Sequence, residues 1–543
     1  MRDPTAQSFA LTGRLVTMDP VGTVLDAGVM YVRDGVIVAT LPVGASPPAG
    51  FADLVAVPTG GTVFPGLIEL HNHLPYDVLP LWQVPTRFTN RGQWSGRSDY
   101  HRLVTAPMAA LGGDPEVVPA IVRYVEVKCL LGGTTTSQGL TLAVDPGIAS
   151  AFRGLVRNVE ATGESDLPSA VTHIADVEAT DAEKFLARLS GKQKLLLHLA
   201  EGIDAAAREH FLALQTGADR WAITPNLIGI HCAGLTAADF EVFAAHGGSM
   251  VWSPLSNLLL YGSTARVGDA LAAGVPVALG SDWAPSGSKN VLNELKVARL
   301  AAPLAGADLS DRQLVGMVTS APARMLGWDA HLGSLEPGKR ADLIVLAGDG
   351  SPDPYRDLVS ATEADIDLVV IDGIPRAGRS SLMSALGAGD GELVDVGGRS
   401  RVLYLDQVDA DPRVQALTVR EASSRLDTAL ADLPARTGRA ARPHRPTGGR
   451  ALLAVDGVVY NRMCPRPHLP YRGRFTGPDL PTGWAARDTG TVGTRPASPG
   501  LGLDPLCAVD NPGYFTGLAH ETNLPAALRD KLAALAPAIT PPT

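Results

Sequence analysis

Cysteine is scarce: there are four in 543 residues, Cys129, Cys232, Cys464 and Cys507, far apart and without a C-x-x-C pair. This excludes a disulfide framework and a thiolate zinc site, and it fits a reducing compartment. Long apolar runs are also missing, since Gly, Asp or Arg breaks each one well short of the ~20 residues that a bilayer requires. No membrane partner is expected. Positive charge is not in excess either; a formal net charge of -10 leaves no electrostatic footprint for nucleic acid. The stretch MRDPTAQSFALTGRL has no apolar h-region, so export by a signal peptide is not expected and a cytoplasmic location is.

What is present describes an ordinary globular protein, 45% hydrophobic and 19% charged, and 543 residues are too many for one compact core. The most informative stretch is FPGLIELHNHLPYD, Phe64 to Asp77. Its Pro65-Gly66 turn opens a short apolar strand ending in His71 and His73, two apart and therefore on one side. Two imidazoles on one face can grip one metal ion, and neutral nitrogen ligands suit zinc or iron.

Before it, residues 8 to 60 read as short strands, with Asp34-Gly35 as a hairpin turn. So few strands bury little surface and need partners. These are found in ADLIVLAG from Ala341 and in DLVVIDGIPRAG from Asp367, where Asp372-Gly373 marks another hairpin. A composite β domain over 1-61 and 329-380 is therefore expected to flank a central domain over 62-328.

In the central domain the helical run Val118 to Leu131 precedes TTTSQG, and LVRNVE, AVTHIADV, KLLLHLAE, NLIGIHCAG, SMVWSP and VPVALGSDW follow. Strands alternating with helices imply a parallel sheet, and about eight strands suggest a closed (β/α)₈ TIM-like barrel, with an open doubly wound sheet as the alternative. His71, His73, His198, His231 and Asp282 all fall at C-terminal strand ends. In a barrel such ends share one rim, so these residues are expected to meet in one pocket.

The phrases PGLIELHNH, GGTTT, HLAEG, GIHCAGL, WSPLSNLLLYG, VALGSDW and TSAPARMLGWDAHLGSLEPGKRADLIVL resemble the amidohydrolase superfamily of metal-dependent hydrolases, over roughly residues 8 to 380. The resemblance implies an α/β protein in which a small β-sandwich, built from both flanks, accompanies the barrel. It implies His71, His73, His198 and Asp282 as metal ligands, and His231 matches the sixth-strand histidine. HLAEG resembles the deaminase and triazine-hydrolase branch, in which Glu201 would shuttle protons. Binuclear relatives carry a bridging lysine on the fourth strand. AVTHIADV has none, Lys128 lies in a helical run, and Lys192 and Lys194 precede the fifth strand, so one divalent cation is expected, zinc or alternatively iron(II).

These residues would make a hydrolase of carbon–nitrogen bonds, deaminating or opening an amide in a small cyclic or nitrogen-rich substrate. Asp282 would take a proton from water, His231 would polarise the acceptor, and Glu201 would protonate the departing nitrogen. A binuclear cyclic amidase or dipeptidase-like hydrolase is one alternative, and a non-catalytic oligomeric scaffold another. Homo-oligomerisation is expected by analogy alone.

The loop LPLWQVPTRFTNRGQWSGRSDYHR carries Trp82, Arg87, Arg91, Trp94, Arg97 and Tyr100, which could stack on a planar substrate or pin the loop to the barrel. Trp82, Arg91, Trp94, Gln138 and Asn257 are the candidate substrate contacts. The C-terminal extension, 381-543, is outside the resemblance. Val414, Leu417, Leu426, Leu430 and Leu433 suggest one amphipathic helix. Arg436, Arg439, Arg442, Arg445 and Arg450 form a basic run, and a Pro- and Gly-rich remainder includes Tyr460 to Trp484 and Asp510 to Asn523.

Overall fold

In the computed structural model, residues 8–139, 154–407, 410–433 and 501–536 are described. The two flanks of the chain build one nine-stranded sheet. Its order is Glu392–Val396, Arg399–Leu403, Ile374–Gly378, Ile366–Ile371, Leu343–Ala347, Val57–Pro65, Phe9–Val16, Val24–Arg33 and Val36–Pro42. Both expected hairpins are there: Asp34 and Gly35 join one strand pair, Asp372 and Gly373 another, and all four have positive φ. The sheet is hydrogen-bonded throughout rather than divided into two stacked sheets, and it continues past residue 380. Strands 392–403 add to it because Ala377 and Gly378 still offer an open edge, which Leu403 and Val402 pair.

The eight central strands run in chain order and are all parallel, forming two arcs. Leu67–Glu69, Thr134–Ser137 and Arg157–Asn158 make the first arc. The second contains Val171–His173, Leu195–Leu199, Leu227–His231, Ser249–Trp252 and Val277–Leu279. Isolated backbone bonds, not ladders, join the arcs: Ala170 N to Val159 O at one seam, and a bridge between Asn72 and Asp282 at the other. The layout is that of a TIM-like barrel in which, among the described residues, no single closed ladder is formed. Its interior is filled by Ile68, Leu196, Ile228, Ile230, Val251 and Ala278, so the site must lie above this plug, at the strand ends.

Residues 412–433 form two helices, Pro412–Gln415 and Val419–Ala431, where one is expected. Thr418 explains the interruption: its side chain accepts from Glu421 N while the Glu421 carboxylate accepts from Thr418 N, a capping box that starts a new helix. The run Arg436 to Arg450 and the segment Tyr460 to Trp484 lie outside the described residues. Residues 501–536 do pack on the barrel, through the helices Pro512–His520 and Ala526–Ala533.

Two buried carboxyls near the rim make stability depend on pH. Burial raises Glu294 to about 8 and Asp77 to about 7. Glu294 accepts from Ser288 Oγ and from Leu255 N, the latter at 3.1 Å, and so fixes the start of helix Pro254–Tyr261. Between the ordinary value of 4.5 and about 8, the folded state keeps a proton on Glu294 that the unfolded chain has released, so stability falls as pH rises. Relative to Glu294→Gln at the same pH, the wild-type urea midpoint is expected to drop between about pH 5 and about pH 8, so that the two proteins differ in slope. A slope unchanged in the variant would contradict the assignment.

Candidate active site

The first strand ends at Glu69, and His71 and His73 occupy the extended turn that follows rather than the strand itself. That turn is held from below. Glu69, fully buried, accepts from Ser281 N at 2.9 Å, from Ser281 Oγ, and from Asn72 Nδ2 at 3.3 Å. The backbone completes the lock, since Asp282 N donates to His71 O and His73 N donates to Asp282 O, both at 2.9 Å. Gly139 lies against the same turn, where an added Cβ would fall 1.7 Å from Asn72 O. Residues 71, 73 and 282 are therefore placed together by main chain, whatever their side chains bind.

His198 lies in the fifth strand, His231 ends the sixth, and Asp282 follows the eighth. Ala200, His231, Cys232 and Asp282 all have φ between 50 and 66°. Non-glycine residues seldom adopt this left-handed conformation, and it gathers where a chain must aim side chains inward. The result is a compact set of donors. His71 Nε2 is 3.2 Å from His198 Nε2 and 3.1 Å from Asp282 Oδ1, and His73 Nε2 is 3.5 Å from the same oxygen. His231 Nε2 faces Asp282 Oδ2 at 4.0 Å and Glu201 Oε2 at 3.9 Å.

The chemistry of this donor set fits a divalent cation. Burial holds the imidazoles in their neutral form: His73 falls to about 3, and His71 and His198 fall well below their ordinary range, with mutual repulsion adding to the effect. Neutral imidazole is the form that binds metal. Asp282 is pushed well up, chiefly by burial and against the lowering effect of the Ser256 side chain, and among the described residues no lysine or arginine pairs with its charged form. A cation among three imidazoles would supply that pairing. His71 Nδ1 is paired with Ser253 Oγ at 2.7 Å, which turns Nε2 toward the other donors in the manner of an orienting outer contact.

The expected substrate contacts divide. Asn257 accepts from His231 Nδ1 at 2.9 Å and thereby fixes the ring. Gln138 is committed to the frame: its carbonyl accepts from Asn72 N, while its amide donates to Glu160 and Thr172. Trp82 and Trp94 are buried against Phe88 and Tyr100, so the aromatic part of the long loop packs inward upon itself. Arg91 reaches the mouth, with Nη2 on Asp176 Oδ2 at 2.6 Å and Nη1 on Ile174 O at 2.7 Å and 3.5 Å from Glu201 Oε2. Ser253, Tyr261, Trp283 and Glu69 were not singled out from the sequence. Of these only Glu69, at the fixed spacing Glu-x-His-x-His, had a signal that could have been used.

A profile of the amidohydrolase family matches residues 198–375. The 5-methylthioadenosine/S-adenosylhomocysteine deaminase of Desulforudis audaxviator is 28% identical over 398 residues, spanning 64% of this chain and 88% of that protein. The 5′-deoxyadenosine deaminase of Methanothermobacter thermautotrophicus is 26% identical over 376 residues, 60% of this chain and 84% of its own length. In fold, an atrazine chlorohydrolase from Arthrobacter aurescens, solved with zinc and atraton, aligns with a TM-score of 0.57 at 20% identity, over 79% of this chain and all of that one. Over residues 198–375 the chain matches the amidohydrolase family, and these curated relatives are deaminases. The chain is a hydrolase of carbon–nitrogen bonds other than peptide bonds.

Proposed function

We propose that this chain is a mononuclear metal-dependent deaminase that removes an exocyclic amino group from a nitrogen heterocycle, with purine nucleosides as the substrate class to try first. The observation that carries this reading is the meeting of His71, His73, His198 and Asp282 with Glu201 and His231 in one cluster, buried except for the half-buried His73. The substrate class rests on the named activities of the relatives.

His71, His73, His198 and Asp282 would hold the cation. Zinc suits them best, with iron(II) second. When bound, a divalent cation supplies Lewis acidity that makes water a nucleophile near neutral pH. Asp282, facing the same space, accepts a proton from the attacking water as its oxygen bonds to the ring carbon. His231 donates Nδ1–H to Asn257 Oδ1, so its Nε2 stands free between the carboxylates of Glu201 and Asp282. From there it can take a proton and hold the charge that develops on the ring. Glu201 gives a proton to the departing nitrogen as the carbon–nitrogen bond breaks and ammonia leaves; the second proton of the attacking water passes to the ring nitrogen, leaving a carbonyl, and the proton held by Asp282 restores Glu201.

The placement of the lysines supports a single ion. The fourth strand, Val171–His173, has none, and Lys128 and Lys289 are committed to Asp504. The test is an ammonia-release assay with 5-methylthioadenosine, S-adenosylhomocysteine, 5′-deoxyadenosine, guanine and an aminotriazine, together with metal analysis. About one metal per chain is expected, with turnover lost on chelation and restored by about one equivalent of zinc. Two bound ions per chain would overturn the mononuclear site, and no ammonia from any compound would overturn deamination.

A further inference from the structure

Glu201 is held in a way that its catalytic part alone does not require. Its carboxylate is buried and both oxygens are engaged from different elements. Oε1 accepts from the hydroxyl of Tyr261 at 2.9 Å. Oε2 lies 3.5 Å from Arg91 Nη1 and 3.9 Å from His231 Nε2. Tyr261, fully buried, is the last residue of helix Pro254–Tyr261, which also carries Asn257. Its hydroxyl in turn receives the indole Nε1 of Trp94 at 3.1 Å.

The order of donors decides where hydrogens lie. An indole nitrogen can only donate, so the Tyr261 oxygen must accept from Trp94. The single phenolic hydrogen is then free to point at Glu201 Oε1, its partner at hydrogen-bond distance. A proton on Oε1 would have to be donated to that same hydroxyl, leaving a buried phenolic hydrogen to find another acceptor, which is unfavourable. We propose that Tyr261, oriented by Trp94, keeps Oε1 of Glu201 an acceptor and so confines the transferable proton to Oε2, the oxygen facing His231. Tyr261 and Trp94 are thus positioning residues for the proton that leaves with ammonia. Arg91 braces the same carboxylate from the rim, its own position fixed by Asp176 and the Ile174 carbonyl.

This role rests on the reading of Glu201 as the proton donor in deamination, and the experiment separates the two. Holoenzymes carrying Tyr261→Phe, Trp94→Phe and Glu201→Gln are compared with the wild type, using whichever compound of the panel gives the highest turnover. Tyr261→Phe is expected to keep its metal and its KM while kcat falls roughly tenfold or more, the scale of one hydrogen bond to a charged group. The solvent deuterium isotope effect on kcat should rise as misplaced proton transfer becomes slower. Trp94→Phe, which keeps the phenol but frees its rotation, should show the same changes in smaller measure. Should Tyr261→Phe lose its metal or its circular dichroism, Trp94→Phe decides the matter. Unaltered kcat and isotope effect in the tyrosine and tryptophan variants, beside an inactive Glu201→Gln, would overturn the positioning role alone. Wild-type turnover in Glu201→Gln, or no ammonia from the wild type, would overturn the reading beneath it.

Discussion

Asp282→Asn is expected to lower ammonia release by at least about a thousandfold, or about 4 kcal/mol in the barrier. The substitution is nearly isosteric, and it suits the backbone: Asp282 has a φ of 62°, a conformation that asparagine tolerates better than most residues. The main-chain bonds to His71 and His73 do not involve the side chain and should survive. What is lost is chemical. An amide cannot accept the proton of the attacking water, and it brings no negative charge to the imidazoles 3.1 and 3.5 Å away. Burial already pushes Asp282 well above the usual carboxylate range, with Glu201, Glu294 and Asp77 adding to it, so in the wild type a cation has much to stabilise there. Metal analysis should show reduced occupancy in Asp282→Asn and a steeper loss in His198→Ala. Glu201→Gln should keep its metal and lose turnover by roughly a hundred- to ten-thousandfold, as expected for a proton-transfer group outside the ligand set. Retention of more than about a tenth of wild-type turnover by Asp282→Asn would contradict its role as base.

The site was legible in the sequence because strand-end residues of one barrel share a rim, so position along the chain translated directly into position in space. His198 and His231 are examples, each read from a short apolar run and each found where the run ends. Helix Val118–Leu131 was legible to the residue, since its apolar run starts near Pro119 and stops at Gly132-Gly133. Legibility failed for contacts between elements that no local pattern encodes. The loop tryptophans could be read as substrate platforms or as packing, and only the distances to Phe88, Tyr100 and Tyr261 show them turned inward. Nothing local marks Tyr261, because the partner of its hydroxyl is 60 residues away in the chain. The late strands 392–403 were missed for a related reason: in this edge strand the apolar Leu393 is exposed while the charged Glu392 is half-buried, so the apolar-in, polar-out alternation that marks a half-buried strand is absent there.

Asp504→Ala is expected to detach the C-terminal segment, lowering its local unfolding free energy by about 3–5 kcal/mol. Asp504 is buried and takes two ammonium groups, Lys128 Nζ at 2.7 Å and Lys289 Nζ at 2.8 Å, together with Asn511 Nδ2 at 3.0 Å. Its own main chain is tied as well, N to Val78 O and O to the Tyr124 hydroxyl. Removing one carboxylate would leave two buried cations facing each other, and the cost of breaking such a group exceeds what the group contributed. Burial already lowers Lys289, so part of the charge would be shed as protons, which makes the loss smaller at high pH. The consequence should reach the site. Asn523 Nδ2 donates to Leu259 O and Thr86 O, and Glu521 accepts from Val84 N, so residues 521–523 fasten the loop that carries Trp82 and Trp94 to the helix that carries Asn257 and Tyr261. Native-state hydrogen exchange should therefore show faster exchange over 501–536 and over 82–94 in Asp504→Ala, with turnover reduced and metal content near one per chain. Adding Lys289→Met should recover part of the lost protection, because one of the two stranded charges is then gone. Protection over 501–536 equal to the wild type would show that the segment is held by its apolar contacts, Cys507, Tyr514, Phe515, Leu518 and Leu528, without the ion triplet.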